Sequence, residues 1–136
     1  FEIVSTIPIV PGRDLEMCAN LVRPYAALYV GGMGSKEKNF YNALAVRMGY
    51  EKEAAVVQEK YLTKDYEAAM MALPFDFLDQ TSLLGGPDRM AEKMQEHAAA
   101  GVTTLALALP DSVPYEARVR GLRMAVEALE KSGVGE

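Results

Sequence analysis

Apolar positions along this chain alternate between strand-like runs and helical spacing. Glu2 to Val10 is rich in Ile, Val and Thr and predicts a strand closed by Pro11-Gly12. Its near-continuous apolar stretch, Ile7-Pro8-Ile9-Val10, suits a parallel strand covered on both faces. Asp14 then caps a helix with Leu15, Cys18, Leu21 and Val22 on one side. Pro24 is expected to interrupt it, with helical character resuming from Pro24 to Tyr29. Three more helical stretches follow a glycine-rich turn: Lys36 to Met48, Glu51 to Leu62 and Asp65 to Leu73. Ser35 is the expected cap of the first and Gly49 its stop.

A short turn or helix through Phe75 to Asp79 leads to a strand at Thr81 to Leu84. Gly85-Gly86-Pro87-Asp88 reads as a strand-to-helix junction, because Pro at the first helical position and an acid in the first turn favour initiation. The helix runs from Pro87 to about Ala100 and stops at Gly101. Val102 to Leu109 is the clearest strand. The last helix runs from Pro114 to Lys131, with Val119, Leu122, Val126 and Leu129 spaced by three and four.

Strands that alternate with helices imply βα units and a parallel sheet, so the class is α/β, read as a single domain over 1–136. Three strands are compatible with a small open sheet and equally with the last third of an eight-stranded barrel. The chain starts at Phe1, directly in a strand, which leads us to expect a missing upstream segment. Strands at the cut edge of a barrel expose unpaired backbone groups, so such a piece is expected to fold weakly or to pair with another copy as a homo-oligomer.

Composition narrows the function. A net charge of -5 argues against a nucleic-acid partner. Arg118, Arg120 and Arg123 sit among Glu116, Glu127 and Glu130 and read as a solvated helix face. No apolar run nears the ~20 residues that span a bilayer, and no basic, signal-like start is present, so the expected compartment is the cytoplasm, with no membrane partner. One cysteine, Cys18, and one histidine, His97, cannot build a dense metal site. Cys18 reads as a small buried residue, and His97 as a partly buried residue near a helix end.

Ligands of parallel α/β folds sit at the carboxyl ends of strands. Three junctions qualify: Pro11-Gly12-Arg13, Gly85-Gly86-Pro87-Asp88-Arg89 and Pro110-Asp111-Ser112. Gly85-Gly86 at a helix start offers an anion free N–H groups and the positive end of the dipole, and Arg89 adds a fork of donors. The same residues also suit a plain tight turn, and Asp88 opposes an anion. The turn Gly31-Gly32-Met33-Gly34-Ser35, followed by Lys36, Lys38 and Asn39, suits an anion or a lid. Its lysines read equally as solvated, and Asn39 can serve either a ligand or a neighbouring backbone. Phe40 and Tyr41 read as packing residues.

Family likeness sharpens this picture. The stretch Arg23 to Gly34, then Lys38-Asn39-Phe40-Tyr41-Asn42 and Arg47-Met48-Gly49-Tyr50, resembles the region after the sixth strand of luciferase-like monooxygenases, in the branch that uses coenzyme F420. Asp79 to Leu109 resembles that family's seventh strand, seventh helix and eighth strand, marked by Gly86-Pro87 and Gly101-Val102-Thr103-Thr104-Leu105. The resemblance implies the C-terminal part, about strands 6 to 8, of a TIM (βα)₈ barrel. It also implies hydride transfer between coenzyme F420, or alternatively FMN, and a small organic substrate. The catalytic group would then lie on earlier strands and is unknown here. Gly85 and Gly86 would contact the cofactor; Gly31, Gly32, Met33, Lys38, Asn39 and Arg89 would contact substrate. The competing reading is a standalone α/β module that binds a small phosphorylated ligand without redox chemistry.

Overall fold

A computed structural model describes residues 1–135. Two compact units divide the chain: Phe1–Leu21 with Thr81 onward, and Val22–Gln80.

In the first unit, β1 (Val4–Pro11), β2 (Leu83–Gly85) and β3 (Thr104–Ala108) form a wholly parallel sheet in the order β2-β1-β3. A wholly parallel three-stranded sheet is consistent with a part of a barrel, one of the two forms the pattern allowed. The order is not sequential, since β1 is central and β3 has crossed to its far side. Ile9 to Pro11 register with Leu83 to Gly85, and Val4 to Pro8 with Thr104 to Ala108. Beyond the ladders, the Gly12 N–H donates to the Gly85 carbonyl at 3.2 Å, and the Thr103 N–H to the Ile3 carbonyl at 3.0 Å. Ile7 through Val10 are all buried; Ile7 and Pro8 pair with β3, and Ile9 and Val10 pair with β2.

The first unit also contains the start of α1 (Leu15–Ala27), together with α6 (Pro87–Ala99) and α7 (Tyr115–Ser132). Its core joins Ile7, Ile9 and Leu83 of the sheet to Met90, Ala91 and Met94 of α6 and Ala125 and Ala128 of α7. Full burial of one such large side chain stabilises by roughly 1.5–3 kcal/mol. The inner face of α7 is made of small residues, Gly121, Ala125, Ala128 and Ser132, which let the helix lie close. Gly133 closes α7 with φ 68, in the left-handed region where glycine carries no Cβ penalty.

The second unit is helical. It holds the end of α1, a π-helical turn (Leu28–Gly32), α2 (Phe40–Arg47), α3 (Glu51–Leu62), α4 (Tyr66–Met71) and α5 (Phe75–Gln80). Val57, Ala54, Ala69 and Leu78 are among its fully buried residues. The buried Arg23 donates through Nη1 to the carbonyls of Met70, at 3.0 Å, and Leu73. Its cation therefore sits where the C-terminal carbonyls of α4 carry partial negative charge.

Three expectations need correction. Pro24 lies inside α1 without ending it, and a π-helical turn follows the helix at Leu28–Gly32. Helix α2 begins at Phe40 rather than Lys36: Ser35 does not cap it, because Lys38 N–H folds back to the Ser35 carbonyl at 3.1 Å and closes a tight turn first. The strand predicted over Val102 to Leu109 is shorter, because Val102 N–H instead closes the end of α6 on the His97 carbonyl.

Candidate functional site

The carboxyl end of the sheet places two of the three expected junctions together. Gly12 follows β1 and hydrogen-bonds Gly85, the last residue of β2. Gly85 has φ +101, and a Cβ there would come within 2.9 Å of Leu15 Cδ2 and 3.1 Å of Arg89 Cδ. Only glycine fits both that backbone and that space. Gly86 is the N-cap of α6, extended at φ -94 and ψ 175, and offers no side-chain cap. A Cβ built at Gly86 meets no heavy atom within 4 Å, so the helix start opens onto free space. Pro87 takes the first helical position. The first-turn N–H groups that follow have no acceptor within the helix.

Charge at this junction differs from the simple reading. Asp88 is paired with Lys131 Nζ at 2.7 Å, and Lys131 also approaches Glu127 at 3.4 Å. The acid expected to repel an anion thus has a cation against it. Arg89 is half-buried, with its stem against Gly85. Beneath the junction lies Cys18, which sequence reasoning treated only as packing. A Cβ on Gly12 would come within 2.6 Å of its Sγ. Burial pushes the Cys18 thiol pKa up, the Gly85 backbone draws it partly back, and Asp14 raises it further.

In the second unit, the glycine turn is organised by its own neighbours. Gly31 and Gly32 lie against α3: a Cβ on Gly31 would come within 2.5 Å of Tyr61 Cβ and 3.1 Å of the Val57 carbonyl, and one on Gly32 would strike the Tyr61 ring. These glycines allow two backbones to approach. Asn39 is buried, and its Nδ2 donates to the carbonyls of Tyr29, at 3.2 Å, and Val30, at 3.1 Å. Its Oδ1 accepts from Asn42 N–H at 2.9 Å, which caps α2. Asn42 adds bonds to the carbonyls of Val30 and Ala54 at 3.0 and 2.9 Å. Asn39 thus makes the backbone contacts that were one of its two expected roles. Met33 and Lys38 are exposed.

Next to this turn runs an aromatic series that the sequence reading did not single out. Tyr25 and Tyr29 have ring centroids 4.6 Å apart, Tyr29 and Tyr41 4.7 Å, and Phe40 and Tyr41 5.4 Å. The guanidinium of Arg47 lies 5.9 Å from the Phe40 centroid. Phe40 and Tyr41 do pack with neighbours, but they stay exposed. The spacing of Tyr25 and Tyr29 by four residues was the available signal. Among the described residues no group of His, Cys, Asp and Glu side chains is placed to hold a metal, and no helix is long and apolar enough to cross a membrane.

Parallel βα units make this an α/β protein. The sequence profile of the luciferase-like monooxygenase family matches residues 1–104, and the chain belongs to that family. Over 105 residues it is 31% identical to a Mycobacterium tuberculosis protein described as "Putative coenzyme F420-dependent oxidoreductase". That alignment covers 77% of this chain and 30% of the relative, so the chain spans about three tenths of the relative's length. No solved structure gives a significant match.

Proposed function

We propose that this chain is the strand 6 to 8 portion of a (βα)₈-barrel oxidoreductase that moves a hydride between coenzyme F420 and a small organic substrate. Membership of the luciferase-like family and the description of the mycobacterial relative support this reading. On it, β1 and β2 are the sixth and seventh strands and pair as neighbours in a barrel do, whereas β3, the eighth, pairs with β1 and not with β2. The observation that carries the cofactor assignment is the β2–α6 junction. Barrels of this kind often bind phosphate at the loops after strands 7 and 8. Here that place holds a left-handed Gly85, a Gly86 facing open space and an uncapped helix start.

The residues present fit an anionic tail. The first-turn N–H groups of α6 bind it, Gly86 leaves room for its approach, and Arg89 adds a fixed positive charge. Lys131 holds Asp88 out of opposition. When bound, the deazaflavin supplies a ring carbon that takes or gives a hydride. In the second unit, Met33 and Lys38 are exposed on the turn that Asn39 fixes, and we assign these two to substrate contact.

The test is amide-resolved NMR of the chain during titration with coenzyme F420, FMN and inorganic phosphate. Shifts at Gly86, Asp88 and Arg89 that saturate tightest with F420 are expected, as is their loss in Arg89→Ala. Tightest saturation with FMN would move the assignment to the flavin. If F420 shifts none of these amides, the cofactor assignment falls. One observation favours a second reading. The order β2-β1-β3 is that of an open sheet, whose strand-order reversal is itself a ligand site. Phosphate binding as tight as F420 binding would favour that standalone module.

A further inference from the structure

Tyrosine rings of the second unit meet in two different ways. Tyr25, near the end of α1, and Tyr29, in the π turn, have ring centroids 4.6 Å apart and planes tilted by only 36°. Their phenols share a hydrogen bond. In each ring the ortho carbons are bonded directly to the carbon that bears the hydroxyl. Hydroxyls at hydrogen-bond distance therefore bring an ortho carbon of one ring near one of the other. Tyr29 and Tyr41 have centroids as close, 4.7 Å, but meet edge to face at 87°. Tyr61 and Tyr66 lie at 4.8 Å and 61°. All these residues are in one unit, so local packing sets their spacing.

We propose that Tyr25 and Tyr29 form an oxidation site that closes into an intramolecular dityrosine when it meets a one-electron oxidant. Each phenol gives one electron to the oxidant and its hydroxyl proton to solvent. The phenoxyl radical that remains shares its unpaired spin with the ortho carbons. One carbon–carbon bond then forms between an ortho carbon of each ring. The hydrogen on each of those carbons moves to its own ring's oxygen, which restores both phenols. In sum, two electrons and two protons leave, and two equivalents of oxidant are each reduced by one electron. Bond formation needs the π faces of the two rings to overlap. The small tilt between Tyr25 and Tyr29 allows this, and the edge-on meeting of Tyr29 with Tyr41 does not. Because the reacting rings are already held together, the link forms within a chain in preference to between chains. It ties the π turn to α1, just before the turn that carries Met33 and Lys38.

Photo-oxidation of the chain in dilute solution, with a ruthenium(II) tris-bipyridyl complex and persulfate, tests this. Dityrosine fluorescence and peptide mass spectrometry read the product. The expected product is a peptide that lacks two hydrogens and whose fragmentation places the link between residues 25 and 29. Tyr25→Phe and Tyr29→Phe each abolish it, with circular dichroism as the check on folding, and Tyr41→Phe leaves it. Unfolding the parent chain in urea before oxidation lowers the yield roughly fivefold or more, because the rings are no longer held together. A folded chain that forms no link between residues 25 and 29 overturns the proposal. So does a link between Tyr61 and Tyr66 in equal yield, which would mean that ring tilt does not select the pair. Equal yields from folded and unfolded chains also overturn it, since nearness in sequence would then be enough.

Discussion

Replacing Asn39 separates a structural residue from a ligand-contacting one. In Asn39→Ala, α2 loses its cap, worth about 1 kcal/mol. The Tyr29 carbonyl loses the bond from Asn39 and is left as a part-buried acceptor to satisfy, at about 1–3 kcal/mol. The Val30 carbonyl costs little, because Asn42 Nδ2 still donates to it at 3.0 Å. The sum is a loss of about 2–4 kcal/mol. Asn39→Asp keeps the acceptor for Asn42 but turns a carboxylate toward two carbonyls, so it costs at least as much. Urea unfolding followed by far-UV circular dichroism reads both, with an unchanged denaturant slope as the sign that only stability has moved. A change within about 0.5 kcal/mol for Asn39→Ala would refute the reasoning and return Asn39 to the pool of ligand-contacting residues.

Further outcomes follow from the packing and the titrating groups. Gly31→Ala drives a methyl into Tyr61 Cβ and the Val57 backbone and costs about 1–3 kcal/mol in urea unfolding. Gly32→Ala meets only the Tyr61 ring, so it costs less, and Tyr61→Ala in the same chain relieves it. Burial first, then neighbouring charge or phenol groups, raises the pKa of Cys18, Tyr25 and Tyr50 above their ordinary values of 9.0, 10.0 and 10.0. The folded chain therefore holds these protons more tightly than the unfolded one. Stability from them is complete below pH 9 and is lost as pH rises through the folded values, which a series of alkaline melts will show. Cys18 also reacts with iodoacetamide at neutral pH more slowly than a free thiol, and mass spectrometry that finds equal rates contradicts its burial.

Much of the local structure was legible in the sequence because it depends on neighbours a few residues away. Helix α3 spans Glu51–Leu62 as its pattern indicated, and α6 starts at Pro87 where Gly86-Pro87 placed it. The burial of Ile7 to Val10 was legible too, since an unbroken apolar run admits no solvent face. The start of α2 was not, because Ser35 and Asn39 are both good caps, and only the turn between Ser35 and Lys38 decides between them.

The sequence by itself determined an α/β protein, its βα junctions and its likeness to luciferase-like enzymes, all of which rest on period, turn residues and motif. Tertiary structure alone decided the rest. That β3 lies against β1 and not β2 is a choice among edges with equivalent backbone groups, about which periodicity is silent. That Gly31 and Gly32 serve Tyr61, and that Asn39 serves Tyr29 and Val30, depends on which surfaces meet. Lys131, 43 residues from Asp88, became its partner the same way. Short-range preferences set each element's conformation, but contacts distant in sequence fix which side chain meets which.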